Sequence, residues 1–388
     1  MMWAAIAIAS AVMVLAACGD EPQGVQFRQK VPQSAPPSSA VMPHRAPQDR
    51  SGDAAELNAE CEDCHPEVAD EWRISLHAEA FTGREFSYAF RREPSQFCRG
   101  CHAPEAGLGP DSEAQAVGVA CITCHLPEGD GEEVLAGPVR PLGVGEQPPE
   151  EPPHALRRDP QFASPDACGG CHQFLFPGQR ARPEFMQTTL QEHQRSAQAA
   201  KTCADCHMPR GRDGRRSHAF LASRDQEWMR SIVTITAERP SPERVIITLD
   251  LDRHAIGHAL PTGDLYRRIA VQAISTRRQR PRAVVSRFLA RHWRPAGALK
   301  GANAMHAAGL SSIEYTEIDD DRLGVGDNPR VVQLTLDPAD YDRPVQWRVR
   351  YERVESLLGN DEAQSIVAGG TVLGQGMLDP PAIPAPYR

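Results

Sequence analysis

The sequence is short of positive charge and of long apolar runs. Lys and Arg number 42 against 51 Asp and Glu, which gives a formal net charge of −9. This balance argues against binding to nucleic acid or anionic lipid and favours a cationic partner, although a solvated acidic surface fits equally well. The apolar stretch Met1–Ala17 is too short for a comfortable membrane-spanning helix, and it resembles the core of a signal peptide.

The sequence also lacks a spare pair of cysteines for a disulfide. Ten of the 11 cysteines fall into five Cys-x-x-Cys-His motifs, numbered one to five in chain order, and the eleventh is Cys18. This count excludes a disulfide framework. The paired cysteines are Cys61 and Cys64, Cys98 and Cys101, Cys121 and Cys124, Cys168 and Cys171, and Cys203 and Cys206. The histidines that follow them are His65, His102, His125, His172 and His207.

The five motifs have the residues that covalent attachment of haem c requires. Each cysteine adds to one vinyl group, and the adjacent imidazole can bind the iron from one face. Structural zinc is the alternative for paired cysteines, but zinc does not require a histidine directly after the second cysteine. We therefore predict five covalent haem c groups with the motif histidines as iron ligands. Their rings would supply the core that residues 55–228, without a long apolar stretch, cannot build alone.

The N-terminus predicts export and a lipid anchor. Leu15-Ala16-Ala17-Cys18 resembles a bacterial lipobox, in which cleavage leaves Cys18 as a lipidated N-terminus. An ordinary signal peptide with a stray cysteine is the alternative. Thioether attachment of haem takes place outside the cytoplasm, which agrees with export. We expect the protein to be anchored in the cell envelope, at the periplasmic face or in the outer membrane.

The sequence pattern changes after Trp228 to an alternation of apolar and polar residues. The clearest case is the segment 345–352, and further strands are predicted over 231–237, 244–251, 266–275, 283–290 and 332–337. At least six such strands indicate an antiparallel sandwich. Between two of them the loop Gly257–Asp264 carries two glycines and a proline, and it could present His258 to a haem. The tail after Gly369 is predicted to be irregular.

Several other stretches carry a family resemblance. They are Glu71-Trp72-x-x-Ser75-x-His77-Ala78, Cys168-x-x-Cys171-His172-Gln173-Phe174, Met186-Gln187-x-Thr189, Cys203-x-x-Cys206-His207-Met208-Pro209, Ser217-His218-Ala219-Phe220 and Gly257-His258-x-x-Pro261-Thr262-Gly263. The chain resembles the bacterial multihaem c-type cytochromes, which include the tetrahaem cytochromes of ammonia oxidisers, nitrite reductase and hydroxylamine oxidoreductase. The resemblance covers residues 56–264 and implies a mainly helical domain in which many irons bind two histidines. It implies four distal ligands: His77, His154, His218 and His258.

These observations predict an α+β multidomain fold, with a mainly helical multihaem cytochrome domain followed by an antiparallel β-sandwich domain. The predicted segments are a lipoprotein signal peptide (1–17), a Pro-rich tether (18–55), a pentahaem cytochrome c domain (56–228) and a β-sandwich-like domain (229–388). Weaker candidates for a fifth distal ligand are His44, His193, His292, His306, Met186, Met208 and Met305.

The leading functional prediction is electron transfer between redox partners, such as other cytochromes or a membrane quinol oxidoreductase. Iron with two imidazoles is six-coordinate and low-spin, so it passes electrons without binding substrate. One alternative is an enzyme that acts on a small nitrogen or sulfur oxyanion at one five-coordinate haem. The Cys-x-x-Cys-Lys motif that marks the catalytic haem of the nitrite reductases is missing from the sequence. Another alternative is a surface protein that assembles with partners through its sandwich.

Overall fold

The computed structural model describes residues 53–92, 94–106, 112–127, 133–138, 152–176, 184–220, 222–277, 283–295, 315–326, 328–356 and 365–382. All of them belong to one unit, Pro37–Arg388. The predicted signal peptide, almost all of the tether and Cys18 lie outside these residues and stay predictions. Within the part of the chain that is described, no helix is both long and apolar enough to cross a membrane.

Each of the five motifs lies on a short helix that ends at the motif. These helices are α1 (Ala54–Cys64), α4 (Gln96–His102), α6 (Cys121–His125), α7 (Asp166–His172) and α9 (Cys203–His207). Residues three and four apart lie on one side of a helix, so the two cysteines and the histidine of a motif face the same way. Side chains cap the helix starts: Asp53 accepts from two backbone N–H groups of α1, and Thr202 forms a capping box with Asp205 in α9.

The other helices and four short strands connect these motif helices. The helices are α2 (Pro66–Arg73), α3 (Arg84–Arg92), α5 (Ser112–Ala116), α8 (Thr189–Gln194) and α10 (Gln226–Ser231). Strands β1 (Val134–Ala136) and β2 (Leu156–Arg158) pair in parallel, and β3 (Gln173–Leu175) and β4 (Phe185–Thr188) pair antiparallel. We call residues 54–231 the helical region. Among the described residues, the helical region has one buried apolar cluster, and it is small. Its members are Ala54, Ala103, Ala106, Ala114, Ala120 and Ile122.

Residues 233–378, which we call the β-sandwich region, form the remaining strands. They are β5 (Val233–Ser241), β6 (Arg244–Leu251), β7 (Arg267–Ser275), β8 (Val284–Leu289), β9 (Arg291–Pro295), β10 (Tyr315–Asp320), β11 (Arg330–Thr335), β12 (Val345–Ser356) and β13 (Ile366–Leu378). One sheet has the order β11-β6-β5 and a second has the order β13-β12-β7-β8, while β9 and β10 form a separate pair. All pairings among these strands are antiparallel. Alternate residues of both larger sheets meet in one core, and the predicted α+β fold class is confirmed.

The segment 66–77, with Pro66 in the first turn, predicts a helix that carries His77, and the structure differs from this prediction. Helix α2 ends at Arg73, and His77 lies in the turns that follow. The Ser75 hydroxyl accepts from the backbone N–H of Ala78, a local bond that competes with continued helix. Gly118 then packs against this turn, where a Cβ atom would lie 2.5 Å from the His77 carbonyl oxygen. Only glycine allows so close an approach, and its φ is +61°.

The prediction of an irregular tail after Gly369 is wrong as far as Leu378. Strand β13 continues to that residue and pairs with β12 along its length. Glycines at 369, 370, 374 and 376 conceal the apolar alternation in the sequence. Gly376 has a packing reason, because a Cβ atom there would lie 2.6 Å from Nε1 of Trp347.

Candidate haem centres

The structure brings four of the five motif histidines next to a second histidine. Two imidazoles that bind one iron from opposite faces, with metal–nitrogen bonds of about 2 Å, have ring centroids about 6 Å apart. The observed centroid distances are 6.4 Å for His65 and His154, 6.3 Å for His172 and His77, 6.3 Å for His125 and His218, and 6.1 Å for His207 and His258. The second members are the four histidines expected to be distal ligands. The residues present therefore fit haem c with two histidine ligands at four motifs, and ligation itself stays a prediction.

Backbone carbonyls select the tautomer of several of these imidazoles. A carbonyl oxygen only accepts, so the Nδ1 atom that faces it carries the proton. The Nε2 lone pair is then available to an iron. The Nδ1–H donors and their acceptors are His102 to Ala80 (2.6 Å), His125 to Leu135 (2.7 Å), His218 to Arg216 (3.0 Å), His258 to Ala259 (2.9 Å) and His154 to Ala155 (3.2 Å).

Burial keeps most of the paired imidazoles neutral. Desolvation lowers the pKa of His77 and of His207 to about 4. At His172, desolvation and the neighbouring imidazoles lower the pKa to about 3. Desolvation also lowers the pKa of three further histidines: His125, His218 and His258. Neutral imidazole is the form that binds a metal, so these side chains are ready to ligate at neutral pH.

Glu71 in α2 holds the loop that carries His218. Its two oxygens accept from Arg215 at 3.0 and 3.1 Å, and Oε2 also accepts from the backbone N–H of His218 at 2.7 Å. The hydrogen bond from Arg215 lowers the pKa of Glu71. The carboxylate thus fixes the backbone at the point where the His218 imidazole meets His125.

Glu192 in α8 holds the loop that carries His258. Its Oε2 accepts from the backbone N–H of Ala259 (3.1 Å) and the hydroxyl of Thr262 (2.8 Å), and its Oε1 accepts from Arg322 (2.8 Å). Burial raises the pKa of Glu192, but Arg322 and the hydroxyl donors outweigh burial and lower this pKa to about 2. The ionised carboxylate therefore joins the helical region to the β-sandwich region beside His258.

The second motif has different surroundings. Phe86 stacks on His102 with ring centroids 3.7 Å apart and 11° between the planes. Within the described residues, no second histidine ring pairs with His102. Burial lowers the pKa of His102, and the charges of Asp264 and Arg267 also act on this imidazole. Arg267 donates to Asp264 at 3.1 Å and to the hydroxyl of Tyr351 at 2.9 Å.

The weaker candidates for a fifth distal ligand make other contacts or lie outside the described residues. His193 is buried in α8, and the Nε2 atom of His292 hydrogen-bonds Asp321 at 2.9 Å. The Met186 carbonyl accepts from Arg291. The residues outside the described part of the chain are His44, Met305 and His306.

The motif cysteines form a connected set. The side chain of Cys101 lies close to that of Cys171, and the side chain of Cys168 lies close to that of Cys203. Electrostatic interactions join Cys121 to Cys61 and Cys124 to Cys171. The fourth motif therefore adjoins the second, third and fifth motifs, and the third motif adjoins the first.

Two comparisons with known proteins agree with this geometry. A family model described as cytochrome c554 and c-prime matches residues 60–126, which contain the first three motifs. A penta-haem cytochrome c552 from Thermochromatium tepidum has a similar crystal structure, with a TM-score of 0.54 and 16% sequence identity over 82% of this chain and 97% of that chain. Among curated proteins, none matches the chain.

The chain has the fold of a multihaem cytochrome c. The two matches support the resemblance to the bacterial multihaem c-type cytochromes. They also agree with haem c as the cofactor predicted at the Cys-x-x-Cys-His motifs.

The sequence did not reveal the residues that position the histidines. Glu71 belongs to a stretch that carries the family resemblance, yet its bond to the His218 backbone follows only from the fold. Glu192 and Arg322 are far apart in the chain and carry no local signal. At the second motif, the available signal was the row of phenylalanines in and before α3, which includes Phe86.

Proposed function

We propose that this protein is a lipid-anchored cytochrome of the cell envelope that carries electrons between redox partners through five haem c groups. The observation that carries the proposal is the set of four histidine pairs with centroids 6.1 to 6.4 Å apart. Bound haem c would supply one-electron chemistry at each motif. With haem bound, the paired imidazoles would leave no open position for a substrate at these four motifs.

The arrangement of the motifs supports transfer across the molecule. The cysteine contacts link the motifs in the order one, three, four, with the second and fifth motifs both joined to the fourth. Haem groups bound at these motifs would therefore be close neighbours.

The proposed anchor rests on Leu15-Ala16-Ala17-Cys18 and the Pro-rich segment behind it. We expect Cys18→Ser to move the protein from the membrane fraction to the soluble fraction. Retention of the variant in the membrane fraction would count against the lipid anchor.

Two measurements test the electron-transfer proposal. The intact mass of the mature protein should exceed that of the bare chain by five haem groups. In electron paramagnetic resonance, at least four haems should be low-spin in the oxidised protein, and all five should reduce and reoxidise reversibly. Fewer than four low-spin haems would contradict the proposal.

A matched pair of variants sharpens this test at the fifth motif. His258→Ala removes the imidazole that lies 6.1 Å from His207, so one haem should change from low spin to high spin. His254→Ala changes an exposed histidine nearby in the chain and should leave the spectrum unchanged. Equal spectra for the two variants would show that His258 is not a ligand.

The surroundings of His102 favour a second candidate function, reduction or oxidation of a small nitrogen or sulfur oxyanion at the second motif. Here Phe86 stacks on the imidazole, and the cation Arg267 acts on it electrostatically. A guanidinium near an iron with a free position would attract an anion. Cyanide binding to one haem, weakened by Arg267→Gln but not by Arg253→Gln, would support this candidate. If no haem of the wild-type protein binds cyanide, this function fails and electron transfer alone remains.

A further inference from the structure

The first motif differs from the other paired motifs in its exposure. Both of its imidazoles, His65 and His154, are exposed, whereas at the third and fifth motifs both imidazoles are half-buried and at the fourth motif His77 is half-buried beside the exposed His172. Among the described cysteine contacts, the first motif is joined to the third motif alone. It therefore lies at an end of the connected set and at the surface.

Acidic side chains line the helix that leads into this motif. Glu56, Glu60 and Asp63 follow the spacing i, i+4, i+7 in α1, so they share one face of that helix. All three are exposed, and within the described residues none of them makes an ion pair. Glu60 acts electrostatically on Cys61, so its charge reaches the point of haem attachment. We call these three residues the acidic face.

We propose that the acidic face and the exposed His65–His154 pair form the docking surface at which this protein exchanges electrons with a small redox protein whose own contact surface is basic. The proposal rests on the proposed electron-transfer function and adds the surface and the charge of the partner. One electron passes per encounter, so one protein is oxidised and the other reduced, and no bond forms or breaks. A basic partner also suits the formal net charge of −9.

The acidic face has a physical role in the encounter. Unpaired carboxylates beside an exposed redox site attract a basic partner and orient it before contact, which raises the association rate. This attraction is screened by salt over about 10 Å at 0.1 M ionic strength.

The test measures binding with both proteins oxidised, so that no electron moves. The probe is a basic monohaem cytochrome c, titrated against the full-length haem protein at low and at moderate ionic strength. We expect the triple variant Glu56→Gln/Glu60→Gln/Asp63→Asn to raise Kd about tenfold at low ionic strength and to flatten its salt dependence. An unchanged visible spectrum and intact mass establish that the variant holds the same haem groups.

A second triple variant, Glu238→Gln/Asp342→Asn/Asp379→Asn, is the control. It makes the same change in net charge with exposed residues of the β-sandwich region: Glu238 in β5, and Asp342 and Asp379 beside the end of the β12–β13 pair opposite to Arg353, which contacts α3. We expect it to change Kd by less than about twofold, since distant charges are screened. Equal effects of the two variants, or no effect of either, would overturn the docking surface.

Electron exchange with the same probe separates this inference from the proposed function. If the wild-type protein exchanges electrons with the probe while the acidic-face variant binds and exchanges equally well, the docking surface is wrong and electron transfer stands. If the wild-type protein binds the probe but exchanges no electrons with it or with small mediators, the proposed function itself is wrong.

Discussion

The helical region and the β-sandwich region differ in what fills their interiors. In the described part of the β-sandwich region and the adjoining helix α10, twenty-one buried side chains form one apolar cluster, among them Leu249, Ile269 and Val349. In the helical region the corresponding cluster has six members, five of which are alanine. Burying a large aliphatic side chain is worth about 1.5–3 kcal/mol, so the two clusters differ greatly in what they contribute.

This difference separates two ways of specifying a fold. The strands of the β-sandwich region are stabilised by their own side chains, and their alternation is visible in the sequence. The motif helices have five to eleven residues, too short to be stable alone in water. They present cysteines and histidines to one another in place of a large apolar core. We infer that haem supplies most of the interior of the helical region.

The largest expected effect comes from loss of the fourth motif. Cys168→Ala/Cys171→Ala removes covalent attachment at the motif that adjoins three others. We expect the helical region to unfold, because the net stability of a domain is only about 5–15 kcal/mol. Limited proteolysis should then cleave residues 54–231 and leave the strands of the β-sandwich region protected.

The control for this prediction is Cys61→Ala/Cys64→Ala at the exposed first motif. That variant should keep most of its helical circular dichroism and its resistance to protease. Equal sensitivity of the two variants would mean that the position of a motif in the connected set does not matter.

A smaller effect is expected from a cavity in the β-sandwich region. Leu249 is fully buried, and Leu249→Ala should lower the free energy of unfolding by about 2–5 kcal/mol, measured in denaturant by tryptophan fluorescence. Val331 is 60% exposed, and Val331→Ala should change the free energy of unfolding by less than about 0.5 kcal/mol. The low-spin haem signals should persist in both variants. Loss of those signals in Leu249→Ala alone would show that the two regions unfold together.

The sequence predicts features that depend on neighbouring residues, and it does not predict features that depend on residues far apart in the chain. A Cys-x-x-Cys-His motif is local, so all five attachment points and their histidines are readable. The alternation of residues 345–352 is also local, and it identifies β12 correctly. The pairing of His172 with His77 instead of a nearer histidine depends on the packing of separate loops. The glycines of β13 and the side chain of Glu192 likewise contact residues that are distant in the sequence. Gly376 packs against Trp347, and Glu192 accepts a hydrogen bond from Arg322.

Stability should depend on pH through Glu192, whose buried carboxylate joins the helical region to the β-sandwich region. The pKa of Glu192 is lowered to about 2, below the ordinary value of about 4.5, so its contribution is fully present above pH 4.5 and is lost as pH falls towards 2. Glu192→Gln should cost on the order of 2–3 kcal/mol at pH 7 and reduce the acid sensitivity between pH 5 and 2.5. Thermal unfolding followed at the haem bands measures both effects. Glu238→Gln, at an exposed site, should change neither the stability at pH 7 nor the acid sensitivity. If Glu192→Gln is as sensitive to acid as the wild-type protein, the ionised Glu192 carboxylate does not cause the pH dependence.

The smallest expected effect concerns a second link between the regions, the ion pair of Glu85 in α3 with Arg353 in β12 (3.1 Å). Both side chains are partly exposed, at 35% and 23%, so water and salt screen their attraction. A double-mutant cycle of Glu85→Gln and Arg353→Gln should give a coupling free energy below about 1 kcal/mol that shrinks in high salt. A coupling as large as the loss expected for Glu192→Gln would contradict this ranking. The regions would then be joined mainly at α3, beside the second motif, and not at the loop that carries His258.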